Sequence, residues 1–105
     1  MNDEQMAEIM PLIMYGGEAK SSAIEAILGA KLGDFEKADD RLDAANHAII
    51  SAHHGQTNLL TQAASGEAVS VSIYMVHAQD HLMTGIAFVD LAREIIDLYK
   101  VIKKY

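Results

Sequence analysis

The residues of this 105-residue chain best suited to chemistry are two histidines and an aspartate in the run His77-Ala78-Gln79-Asp80-His81. On a helix, steps of three and four place His77, Asp80, His81 and Thr84 in one sector. Ile73, Phe88, Leu91 and Ile95 lie above and below them in that sector. The polar group therefore interrupts an apolar face and does not extend a wet one. A carboxylate placed there without partners would cost on the order of several kcal/mol. A cation, a hydrogen-bond network or water in a cleft must satisfy it.

Three kinds of chemistry fit that arrangement. The first is a buried polar layer that sets register in a helical oligomer. The second is a metal site, because His77-x-x-Asp80-His81 has the shape of the inverted zincin motif His-x-x-Glu-His. Asp lacks the extra methylene with which Glu reaches a zinc-bound water, and no nearby Glu offers a third ligand. The third is a phosphoryl-accepting histidine. An imidazole of ordinary pKa, about 6.5, offers a neutral nucleophilic nitrogen at neutral pH. Its other nitrogen must keep a proton and be held by an acceptor. Phosphoryl transfer is mostly positioning and charge stabilisation, so a rigid helix edge at a cleft suffices. No Gly-rich phosphate loop is present, so the donor would not be ATP held in a P-loop.

The elements that must position these residues are helices. Pro occurs once, at Pro11, and Gly is sparse. Leu32-Gly33-Asp34 reads as a left-handed helix stop followed by an N-cap, and Ser65-Gly66-Glu67 as a second loop with Ser70 as the next cap. These breaks predict one domain over 1–105, with helices at about 3–31, 35–64 and 70–103. In the middle helix Phe35, Ala38, Leu42, Ala45, Ile49, Ala52, Gln56, Leu59 and Ala63 form a seam interrupted only by Gln56. In the first helix Met6, Met10, Ile13, Gly17, Ser21, Ile24 and Leu28 form the corresponding series, and the spacing of the inner methionines predicts core packing. Its small residues Gly16, Gly17, Ala19, Ser21 and Ala23 would admit a close neighbour. The third helix has a narrow polar stripe of Gln79, Asp90 and Asp97, with Arg93 and Lys104 beside it. That leaves more apolar perimeter than two partners can cover, so the expected fold is an all-α antiparallel three-helix bundle that self-associates through its third helix.

Composition narrows the function. Eight Lys and Arg against fifteen Asp and Glu give a formal charge of −7, with the five His taken as neutral. Such a surface repels phosphate backbones, and no basic cluster offsets it, which argues against nucleic acid. The chain has no Cys, so disulfides, thiolate metal sites and cysteine nucleophiles are excluded. No stretch has the length and apolarity of a membrane span, and the first residues are acidic where a signal peptide is basic. The expected compartment is the cytoplasm.

Val76-His77-Ala78-Gln79-Asp80-His81-Leu82-Met83-Thr84 resembles the signature of the lactose/cellobiose-type enzyme IIA component of the bacterial phosphoenolpyruvate-dependent sugar phosphotransferase system. Gly17-Glu18-Ala19-Lys20-Ser21 resembles the family's first-helix motif, Gly33-Asp34-Phe35 its first turn, and Ala52-His53-His54-Gly55-Gln56-Thr57 its second-helix pattern. Ile96-Asp97-Leu98-Tyr99-Lys100 also fits, so the resemblance covers essentially the whole chain. It implies a cytoplasmic homotrimer of three-helix subunits, a nine-helix assembly. It implies that His77 accepts a phosphoryl group on Nε2 from the carrier protein HPr and passes it to a cysteine of enzyme IIB, serving enzyme IIC during uptake of a β-linked disaccharide. It also implies that Asp80 from three subunits meets near the trimer axis around a divalent ion, usually magnesium.

The resemblance leaves other residues less defined. Gln56 faces the core as a partner for His77 or Asp80. His81 is either a cleft residue or a core histidine, and Gln79 on the wet stripe would touch partner proteins. His47 and His54 read as surface residues, and the role of His53 is not readable. Met75, Val76 and Met83 would form an apolar rim for partners around His77. Two departures from the family pattern are visible. Lys20 stands where relatives often carry Arg, which would weaken a bidentate contact. Pro11 would start or kink the first helix. The transported sugar cannot be read from the chain.

Overall fold

A computed structural model describes residues 3–103. Three helices, α1 (Asp3–Lys31), α2 (Phe35–Ala64) and α3 (Ile73–Lys103), account for nearly all of them. They form an antiparallel three-helix bundle, a rod of 56 × 22 × 18 Å. Two tight turns set the connections. Gly33 takes φ 79°, a left-handed conformation, while the Asp34 side chain accepts from the Lys37 N–H at 3.1 Å and caps α2. At the other end Gly66 takes φ 88° and the Glu67 N–H returns to the Gln62 carbonyl at 3.1 Å.

The start of α3 corrects the expectation from sequence. Ser72, not Ser70, is the cap: its hydroxyl accepts from the Met75 N–H at 3.2 Å and its carbonyl from the Val76 N–H at 3.0 Å. Ser70 lies in the preceding loop, so the helix begins three residues later than its pattern suggested. Pro11 neither starts nor ends α1, which runs through it.

α1 packs along both α2 and α3, which touch each other much less. The first-helix seam falls one residue away from the series predicted. The buried positions are Ile9, Leu12, Gly16, Ala19, Ser22, Ala23, Ala26, Gly29 and Ala30, whereas Met10, Met14, Ile24 and Leu28 are exposed. Small core residues carry little hydropathy, so the larger side chains on the adjoining face dominated the pattern. The middle-helix seam matches its prediction except at Ala63, which is exposed. Below the sector of interest the core consists of Ile9, Leu12, Ala52, Leu59, Met75, Ala78 and Leu82. No described helix is long and apolar enough to cross a membrane. Lys104 lies outside the described residues.

Candidate functional site

The backbone beneath the His-Asp-His run is fixed by close approach to α1. A Cβ at Gly16 would lie 3.0 Å from the His81 carbonyl oxygen, and one at Gly85 would lie 3.4 Å from the Gly16 carbonyl oxygen. At position 16 only glycine lets the helices meet this closely. Of the small α1 residues singled out from sequence, Gly16, Ala19 and Ala23 are buried, but Gly17 meets nothing within 4 Å and Ser21 is exposed.

On that fixed turn His77 and Asp80 are exposed and His81 is half-buried. The imidazoles of His77 and His81 lie 4.7 Å apart between centroids, tilted by 47°. Burial, then the Lys20 ammonium and His77, push the His81 pKa down, and Asp80 opposes them. His81 is therefore held towards its neutral form. The Thr84 hydroxyl donates to the Asp80 backbone carbonyl at 2.7 Å and leaves its carboxylate free. That carboxylate makes no hydrogen bond or ion pair with another described residue. In a single chain the Asp80 side chain is solvated. Among the described residues no three metal-ligating side chains converge, so one chain lacks the ligand set of the zincin reading.

The α2 side of α3 departs from expectation. Gln56, 7% exposed, does not reach His77 or Asp80. Its Nε2 donates to Gln79 Oε1 at 2.6 Å and lies 3.4 Å from Met83 Sδ. Gln79 is accordingly half-buried in the α2–α3 contact and does not lie on a wet stripe. Helical periodicity carries no signal for this pair, whose members lie on different helices. The apolar rim also changes. Met75 is buried and Met83 lies towards α2, whereas Ile73, Tyr74 and Val76 line a shallow depression of about 500 Å³ with His77 and Asp80. His47, His53 and His54 are exposed on α2, away from this depression.

Residues 7–100 match the family described as "PTS system, Lactose/Cellobiose specific IIA subunit". The chain belongs to this family. The lichenan-specific phosphotransferase enzyme IIA component of Bacillus subtilis is 46% identical over 95% of this chain and 91% of that protein. The crystal structure of the PTS cellobiose-specific enzyme IIA from Bacillus anthracis superposes with a TM-score of 0.94 at 41% identity, covering 99% of this chain and 95% of that one. The IIA(chitobiose) chain of the Escherichia coli IIA(chitobiose)–HPr complex superposes with a TM-score of 0.81 at 37% identity, over 97% and 99% of the two chains. As a IIA component the chain is a phosphoryl carrier of a sugar phosphotransferase system.

Proposed function

We propose that His77 accepts the phosphoryl group on Nε2 from phospho-HPr and donates it to a cysteine of enzyme IIB, in the cytoplasm, during uptake of a β-linked disaccharide through IIC. The observation that carries this reading is an exposed imidazole at the lip of an apolar depression, on a helix turn fixed by the Gly16–His81 contact. The Nε2 lone pair of His77 forms the new N–P bond as the donor's N–P bond breaks, while Nδ1 keeps its proton. The depression gives HPr and IIB one shared docking rim, so the two would exclude each other. The structural neighbour in complex with HPr supports the choice of donor. Incubation with phosphoenolpyruvate, enzyme I and HPr should give an acid-labile, alkali-stable phosphoryl group that IIB removes. Failure to label would reject the relay.

A homotrimer is the assembly proposed for this work. Met10, Met14, Ile24 and Leu28 on α1 and Leu91 and Leu98 on α3 flank the α1–α3 contact on the side away from α2. They form one exposed apolar face, with Met14 60% and Leu91 59% accessible. The accessible surface of 6637 Å² also exceeds the roughly 5800 Å² expected of a compact monomer of this mass. The free carboxylate of Asp80 lies on the same side of α3. Three copies would present three such oxygen donors, a set suited to a hard divalent ion such as Mg²⁺ at the axis. Such an ion would balance carboxylates that repel one another. Asp80→Leu should leave a trimer by sedimentation with no bound metal by elemental analysis. Metal content equal to the parent chain would reject the axial site.

A further inference from the structure

The phosphoryl group placed on His77 by the reading above, on which this inference rests, brings almost two negative charges to a chain already at −7. Positive charge near it is scarce. The sequence holds no Lys or Arg before Lys20, and none between Arg41 and Arg93. Of the basic residues further along, Arg41 is paired with Asp40 and Glu25, Arg93 with Asp90, and Lys100 with Asp39. Lys20 makes no ion pair or hydrogen bond with any described residue.

Its position on α1 is specific. Gly16, one turn earlier, is the residue pressed against His81, where an added Cβ would lie 3.4 Å from the His81 Cβ. Lys20 follows on the same face, half-buried, and helical side chains lean back towards the N-terminus, here towards His81. The His81 ring lies 4.7 Å from the ring of His77. Lys20 thus lies on the face of α1 that meets the α3 turn carrying His77 and His81.

We propose that Lys20 is the cation that holds the phosphoryl group on His77, stabilising the charged form of the carrier against return to its donor. Lys20 forms no bond in the transfer. The donor imidazole leaves with the electrons of its broken N–P bond and takes up a proton from water, and the ammonium faces the dianion that arrives on Nε2. A point charge on a flexible stem suits a group that must be held and then released to a second protein.

The test is the equilibrium of phosphoryl exchange between HPr and the full-length chain, measured for the parent, Lys20→Gln, Lys20→Arg and Glu18→Gln. Lys20→Gln should shift the equilibrium about tenfold towards phospho-HPr, the size expected of one partly exposed charge near a dianion. Lys20→Arg should restore most of the shift, and Glu18→Gln, a charge change on an exposed turn, should leave it unmoved. The parent equilibrium should weaken with added salt more steeply than that of Lys20→Gln, a readout that a packing role for Lys20 would not move. If Lys20→Gln melts early, the salt dependence of the parent and the behaviour of Lys20→Arg decide the matter. A parent chain that labels on His77 with an equilibrium insensitive to salt, or shared unchanged by Lys20→Gln, overturns the role of Lys20 alone. A parent chain that never labels overturns the His77 reading and this role with it.

Discussion

α3 is held by its two neighbours in opposite ways. Against α1 it is pressed backbone to backbone, with Gly16 leaving no room for a methyl group beside the His81 carbonyl. Against α2 it is tied by long side chains: Gln56 to Gln79, Asn46 to Arg93 at 2.9 Å, and Asp39 to Lys100 at 2.8 Å. The first contact is dry and stiff, because close-packed backbones cannot yield without moving a helix. The second is made of rotatable, partly exposed groups. The turn that carries His77 thus takes its fixed position from α1, while α2 holds α3 through a contact that can adjust.

Three changes would break or sharpen that contrast. The largest effect should come from Gly16→Ala, whose methyl would meet the His81 carbonyl. A loss of about 1–3 kcal/mol in chemical denaturation is expected, together with slower phosphorylation because the His77 turn is displaced. A fully stable variant would show that the α1 contact is softer than described. Gln56→Ala should cost less, about 1–2 kcal/mol, by leaving the Gln79 carbonyl without its donor. Its phosphorylation rate should fall by no more than a few-fold, and a complete loss would mean that the α2 side also positions His77.

The smallest effect concerns pH. The His81 pKa is lowered in the folded chain, chiefly by burial and then by Lys20 and His77, so the unfolded chain binds that proton more readily. The stability linked to His81 is thus intact above the ordinary value of 6.5, falls as pH drops through it, and levels off below the depressed folded value. His81→Gln should flatten the melting temperature between about pH 7 and pH 5 relative to the parent. Equal slopes for the two proteins would show that His81 is not the group responsible.

Much of the architecture could be read from particular residues. Gly33 and Asp34 announced their turn because left-handed φ and N-capping each demand a narrow choice of side chain. The middle seam was legible because Leu42, Ile49 and Leu59 are large and face inwards. The α1 seam lies one position from the predicted series because its core from Gly16 onwards is Gly, Ala and Ser, while Met10, Met14, Ile24 and Leu28 lie on the outer face. That error is informative, since a helix that buries small residues and exposes Met14 and Leu28 has a second surface to cover. The signature around His77 was legible as chemistry, but its surroundings were not. The Gln56–Gln79 bond and the Gly16–His81 approach join residues far apart in sequence, and helical periodicity carries no information about which faces meet.

The central claim, that Nε2 of His77 carries the phosphoryl group, is most directly tested by imidazole nitrogen NMR of histidine-labelled protein before and after phosphorylation by HPr. The account predicts that Nε2 of His77 alone takes the shift of a phosphorylated nitrogen, that His47, His53, His54 and His81 keep unphosphorylated spectra, and that His77→Ala gives no phosphorylated species. A phosphorylated nitrogen assigned to His81, or any label retained by His77→Ala, would contradict it.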